Sequence, residues 1–283
     1  MAEAPKPKPR NCTEVARSIV GGRIDALVFA DRVRTHPIGP KLAALEAWGP
    51  ILEGTGIDPQ KDLERAYVTS PSVRDGRNVV LVAEHSLPND RIRTAIETLI
   101  GKSDPPGAWV DGFGVPVARV TVRERTRMVG LPMANLLVVL PEEHLASIKK
   151  FAGSGGCRDP EGAEAAVLTA EQPAETLKAP RVPPIPETLS AARATVTLTK
   201  DGGADLDVEA KSTSPEQASQ DAAALTSEID RATSLKISIL KIRVFEPIAM
   251  KPDGDKVTGR RHLSAEEIDR IMGFASALIP RNK

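Results

Sequence analysis

Aromatic side chains are scarce in this sequence: two Trp, one Tyr and five Phe, 3% of 283 residues. That scarcity argues against platforms for stacking bases and against an aromatic sugar-binding surface. Net charge is missing as well. The 38 Lys and Arg residues balance 38 Asp and Glu, so the chain as a whole is no electrostatic magnet for nucleic acid or anionic membrane. No nucleic-acid partner is expected. No apolar run approaches the roughly 18 residues that a membrane helix needs, so no transmembrane segment is expected.

Motifs for chemistry are also missing. The only histidines are His36, His85, His144 and His262, and none has a second His, Cys or carboxylate at a recognised metal spacing. Arg260 and Arg261 beside His262 would repel a metal ion. There is no Gly-x-Ser-x-Gly elbow for a hydrolase nucleophile. The segment Gly153-Ser-Gly-Gly-Cys157 lacks the Gly-Lys-Ser/Thr ending of a phosphate loop and reads as a break in the chain. Asp111-Gly-Phe-Gly114 has no other kinase element around it, and Lys251–Lys256 lacks the later Glu of a calcium loop and reads as a hairpin turn. No catalytic residue, cofactor or metal is assigned.

Cysteine is limited to Cys12 and Cys157. In an oxidising compartment one bridge between them would close a loop of more than ~100 residues and stabilise by roughly 4–5 kcal/mol in the chain-entropy model. The other reading is two unpaired thiols. The stretch from Met1 to Arg10 alternates Pro with Lys and has no apolar core, so it is no signal peptide and reads as a solvated tether. Two locations follow. The chain is a mature exported form, periplasmic or outer-surface, attached to a membrane only through a lost N-terminal anchor; the alternative is a cytoplasmic protein with an extended leader.

What is abundant is proline, 24 residues, and it punctuates a recurring unit. An extended segment ends, Pro or Ser opens a helix, and acidic or polar residues fill the first turn. The copies begin at Leu87-Pro88, Leu140-Pro141, Ser214-Pro215 and Leu263-Ser264. Val79–Ala83 and Leu136–Leu140 are continuous apolar runs and predict strands buried on both faces. Residues 193–199 and 205–210 alternate apolar with polar around Asp201-Gly202-Gly203 and predict a hairpin with one wet face. Ser214 is the expected cap of the following helix. Ser264 and Glu267 form a capping-box pattern ahead of a stripe of Ile268, Ile271, Met272, Ala275 and Leu278.

These patterns predict an α+β protein of two similar domains, each built of antiparallel hairpins followed by a helix, with the helices on one sheet face. The expected division is a flexible tether over 1–20, a first domain over 21–160, a linker over 161–188 containing one strand, and a ββαββα domain over 189–283. The plan suggests an internal duplication.

The pattern most suited to binding is Arg119, Arg123, Arg125 and Arg127. Their odd numbering places them on one face if residues 117–128 form one continuous strand, where they could hold an acidic partner, a phosphorylated ligand or an anionic headgroup. A turn near Glu124 would scatter them. Asp205, Asp207 and Glu209 form a complementary acidic row. Both rows are expected on interaction surfaces, within the protein or between copies.

The stretch Gly21–Gly39, with Gly54-Thr-Gly-Ile-Asp-Pro59 and the hairpin-helix units, resembles uncharacterised exported bacterial proteins, often predicted lipoproteins of unknown function. The resemblance spans most of the chain and implies an envelope location without implying a chemistry. The expected function is a non-enzymatic binding or scaffold module of a bacterial envelope, with a protein partner or self-association. The alternatives are a carrier of an apolar or lipid ligand held between sheet and helices, and a hydrolase with a spatially assembled site.

Overall fold

Two short apolar strands, Val80–His85 and Leu136–Leu140, dictate the architecture. Successive side chains of a strand point to opposite faces. Val80, Val82, Leu136, Val138 and Leu140 therefore need cover on one side, while Leu81, Leu137 and Val139 need it on the other. The computed structural model supplies both covers. It describes residues 11–43, 52–122, 124–152, 154, 162–180, 182–237, 240–243 and 246–278, with only the backbone for 234–237, 240–243 and 274–278.

The strands, in chain order, are β1 (Ile24–Phe29), β2 (Leu63–Ser70), β3 (Val80–His85), β4 (Ala108–Val110), β5 (Val117–Val122), β6 (Arg125–Met133), β7 (Leu136–Leu140), β8 (Glu164–Glu171), β9 (Ala191–Leu198), β10 (Ala204–Lys211), β11 (Ser234–Ile237), β12 (Leu240–Arg243), β13 (Lys251–Asp253) and β14 (Lys256–Leu263). Twelve of them form one antiparallel sheet in the order β13-β14-β10-β9-β8-β1-β2-β3-β7-β6-β5-β4, and β11 pairs with β12 apart from it. β8 lies inside the stretch expected to be a linker. It pairs with β1 on one side and β9 on the other, so the sheet runs unbroken through that stretch.

On the front face, helix Cys12–Val20 and the 3-10 helix Glu142–Phe151 pack over the first half. Cys12, Val15, Ala16, Ile148 and Phe151 join Leu27, Phe29, Tyr67, Val80, Val82, Val138 and Leu140 in one core. On the back face, helix Asn89–Lys102 sets Ile96, Leu99 and Ile100 against Ala118, Val120, Val129, Leu137 and Val139. Also on the back, helix Pro215–Ala232 sets Ala218, Ala222 and Leu225 against Leu206, Val208, Ala210 and Val257.

The expectation of helices on one sheet face is thereby corrected. Strands that are apolar on both faces require a layer on each. A second correction concerns the tether. Residues 12–20 form a helix, whose start is capped by Asn11 Oδ1 accepting from Glu14 N at 2.9 Å. Three buried side chains from this helix enter the core, which a solvated tether could not provide.

Other elements follow the sequence reading. Ser214 Oγ accepts from Gln217 N at 3.2 Å. The box at Ser264 closes both ways, with Glu267 N donating to Ser264 Oγ at 3.2 Å and Ser264 N to Glu267 Oε2 at 3.0 Å. In the last helix, Ala265–Leu278, Ile268 is buried and Ile271 and Met272 are half-buried; the side chains of Ala275 and Leu278 lie outside the described residues. No described helix is long and apolar enough to cross a membrane.

Candidate functional site

The front face changes character where the second half begins. Register carries the front positions outward from β1 through β8 to Ala191, Arg193, Thr195 and Thr197 of β9. They continue to Asp205, Asp207, Glu209 and Lys211 of β10, and to Lys256, Thr258, Arg260 and His262 of β14. These are the wet positions of the alternating pattern. Helix Cys12–Val20 stops short of covering them and forms a wall.

At the foot of this wall sits Asp25, a front-facing acid at the start of the otherwise apolar β1. Its direct cross-strand partners are Thr69 on β2 and Thr169 on β8. Thr69 Oγ1 donates to Asp25 Oδ1 at 2.7 Å, and Thr169 Oγ1 donates to Oδ2 at 3.0 Å. Tyr67 Oη donates to Oδ1 at 2.6 Å. Arg17 completes the set, with Nη1 3.6 Å from Asp25 Oδ2 and Nη2 on Glu171. The left-handed Gly21 (φ 61°) ends the helix and turns the chain back, so that Arg17 Nε also reaches Gly22 O at 2.9 Å.

A carboxylate offers about four lone-pair sites. At Asp25 three hydroxyls donate to them and a guanidinium stands 3.6 Å away. Burial raises the Tyr67 hydroxyl far above the ordinary tyrosine range, and the Asp25 carboxylate raises it further. Tyr67 therefore stays protonated and serves as a donor. The cluster positions and neutralises; its geometry holds no free base or nucleophile.

Above it opens a cleft of about 520 Å³, with Leu27, Tyr67, Val167 and Ala170 in its floor. Its charged lining consists of Glu14, Asp25, Glu171 and Glu209 against Arg17, Arg193 and Lys211. A groove of about 900 Å³ shares Arg193 and Glu209 with it and continues over Thr195, Asp207, Thr258 and Arg260. In the groove the signs balance: Glu164, Asp207 and Glu209 against Arg193, Lys251 and Arg260.

The residues singled out from sequence are dispersed. Residues 117–128 do not run as one continuous strand: the chain turns at Glu124, which has φ 63°, and β5 and β6 form a hairpin. Arg119 stands on β5 and pairs with Glu142. Arg125 and Arg127 stand on the other face, on β6, and both donate to Gly76 O. Arg123 lies outside the described residues. The acidic row does not meet the arginines. Asp207 pairs with Arg260, Glu209 with Lys256 at 2.9 Å, and Asp205 with His262 Nδ1 at 2.9 Å.

His36 Nε2 lies 3.2 Å from Thr199 O, and His144 is half-buried. His262 Nε2 also reaches Asp201 Oδ2 at 3.1 Å, and Asp205 leads the effects that raise its pKa. His85 is buried, and among the described residues neither ring nitrogen has a hydrogen-bond partner. Among the described residues no histidine ring bonds a Ser, Thr or Cys side chain, and no group of three or more His, Cys, Asp or Glu is placed to hold a metal ion. Cys12 is fully buried and disulfide-bonded. Cys157, the chain's other cysteine, lies outside the described residues.

Sequence reasoning missed the Asp25 cluster. The available signal was an acid on the inward parity of a strand whose other inward residues are Leu27 and Phe29.

No family model matches this chain, and no curated protein matches it. Among solved structures, the fold is similar to that of TP0453 in its crystal form I, with a TM-score of 0.50 and 12% identity over 98% of this chain and 99% of that one. At that identity the likeness concerns the fold alone.

Proposed function

We propose that this chain is a non-enzymatic binding or scaffold protein of a bacterial cell envelope, periplasmic or outer-surface, whose front cleft and groove receive an extended polypeptide segment of a partner protein. The observation that carries the reading is the unbroken open strand face, where acids and bases stand in nearly equal number, with the acids ahead by one in the cleft. Such a surface complements a polypeptide bearing both charges and gives no net attraction to a polyanion. The disulfide at Cys12 supports an oxidising compartment.

A photo-crosslinking residue in place of Thr195, at the centre of the open face, tests this in the source cells. A polypeptide adduct that disappears when Lys211→Glu and Glu14→Lys are combined is the expected result. No adduct at 195, or an adduct indifferent to the rim charges, would refute the cleft as the binding surface.

The second reading is a carrier of an apolar ligand. Val28 and Leu168 favour it, being 37% and 46% exposed on the back face of the central strands. Native mass spectrometry separates the two, since a retained lipid supports the carrier.

The two-domain plan enters this proposal as an internal duplication. Outward from the central β1–β8 pair, the order β1-β2-β3-β7-β6 mirrors β8-β9-β10-β14-β13. A back-face helix follows β3 and its counterpart β10, and β4–β5 and β11–β12 are hairpins at matching places in the chain.

A further inference from the structure

Arg125 and Arg127 protrude from the back of β6, opposite Val122 and Val120, where the β5–β6 turn meets the loop 71–79. Arg125 Nη1 donates to Gly76 O at 2.6 Å, and Arg127 Nη2 donates to the same oxygen at 2.7 Å. Arg127 makes one further bond, from Nη1 to Thr126 O at 3.2 Å. One neutral carbonyl oxygen thus gathers two guanidinium charges. Among the described residues no carboxylate pairs with either.

The nearest acid in sequence, Asp75, is occupied by its own turn. It accepts from Arg77 N at 3.2 Å, Asn78 N at 3.1 Å and Asn78 Nδ2 at 2.8 Å. Burial and then the charge of Arg125 both disfavour the cationic form of Arg127, with Glu143 acting weakly the other way. Glycine at 76 permits the convergence, because a Cβ there would lie 2.3 Å from Arg125 Nη1.

Each guanidinium has five N–H donors in a planar fork. Most of these ten donors meet no acceptor among the described residues. Two forks converging on one point suit an acceptor with several oxygens around one centre. We propose that Arg125 and Arg127 form a binding site for a phosphate group, whose oxygens add to the Gly76 carbonyl as acceptors between the two forks. The site lies on the back face and is independent of the front cleft.

The test is titration calorimetry of the full chain at low ionic strength, with inorganic phosphate in one arm and glycerol phosphate in the other, chloride serving as the ionic-strength control. Saturable binding is expected, weakened at least about tenfold by Arg125→Gln or Arg127→Gln, the scale of one charge-assisted hydrogen bond. Arg127→Lys should fail to restore it, because an ammonium lacks the fork. Gly76→Ala should weaken it with both charges kept. Tighter binding of the ester identifies an attached phosphate as the ligand; equal binding identifies the free ion. Arg125 is exposed, so its variant retains the fold, which thermal melting in chloride verifies. No saturable binding of either compound, or equal binding by wild type and the Arg125→Gln/Arg127→Gln double variant, overturns the proposal.

Discussion

Tyr67 donates its hydroxyl hydrogen to Asp25 across 2.6 Å, joining the second strand of the sheet to the first beneath helix Cys12–Val20. Tyr67 is the only tyrosine of the chain, so its ionisation can be followed by absorbance without interference. Its pKa is raised above the ordinary tyrosine value of 10.0, by burial first and the Asp25 bond second. For such a group the stabilisation is present below the unfolded pKa and is lost as pH rises above it. Tyr67 should therefore stay neutral past pH 10 and ionise only as the protein unfolds. A reversible titration near 10 with far-UV dichroism intact would exclude this arrangement. Tyr67→Phe keeps the ring and removes one bond to a charged acceptor, at a cost of about 1.5–3 kcal/mol. Asp25→Ala, which removes the acceptor of three hydroxyls, should cost more, about 3–5 kcal/mol.

A comparable anchor holds the second half together. Asp221 is buried on helix Pro215–Ala232 and accepts from Thr188 Oγ1 at 2.6 Å, Ser212 Oγ at 2.5 Å and Gln217 Nε2 at 2.9 Å. Burial works to raise its pKa, and the three bonds outweigh it, so the carboxylate sits below its ordinary range. Its stabilisation is complete above the unfolded carboxylate pKa and is lost as pH falls through the folded one. Asp221→Ala should cost about 2–4 kcal/mol at neutral pH, because buried Ser212 and half-buried Thr188 and Gln217 lose their acceptor. Urea midpoints at pH 7 and pH 3 check this: the difference between wild type and variant should shrink at the lower pH.

How much of this was legible follows from the range of each interaction. Ser214, the Ser264–Glu267 box and the hairpin around Asp201-Gly202-Gly203 are local, and their geometry is that of their sequence signals. Strand order is decided by contacts between distant segments, which is why a strand inside an apparent linker, β8, turned out to lie at the centre of the sheet. The acidic row was visible, but its partners Arg260 and His262 belong to a strand some 50 residues on in sequence. Helix Cys12–Val20 did carry a signal, Asn11 three residues ahead of Glu14, which the Pro/Lys run before it obscured. Thr69 and Thr169 are ordinary strand residues until register sets both against Asp25.

The histidines predict a pH response of defined sign. His85 is buried and burial lowers its pKa from 6.5, against the opposing pull of the Leu87 backbone and Asp62. A depressed histidine favours the folded state at pH above 6.5, and that advantage declines as pH falls toward the folded pKa. His262, raised chiefly by Asp205, acts in the opposite sense, but it is solvent-exposed and weakly coupled to stability. His85→Phe, similar in shape and with nothing to protonate, should flatten the fall in Tm between pH 7 and pH 5. An identical pH dependence in wild type and variant would show that His85 can ionise at no cost.

The disulfide at Cys12 gives the last prediction. Cys12 is fully buried against Val15, Ala16 and the front core, and the sequence offers Cys157 alone as an intramolecular partner. A Cys12–Cys157 bridge would tie the N-terminal helix to the end of the first half and close a loop longer than ~100 residues, which confines the unfolded chain by about 5 kcal/mol in the entropic model. Peptide mapping without reductant should yield one cross-linked pair joining the peptides that contain residues 12 and 157. Reduction should lower the Tm by roughly 10 °C or more for a chain of this size. Cys157→Ser should reproduce that loss and leave a single thiol at Cys12, protected from alkylation until the helix detaches. A monomer that alkylates at both positions without reductant, or a Tm indifferent to reduction, would remove both the bridge and the support it gives to an oxidising compartment.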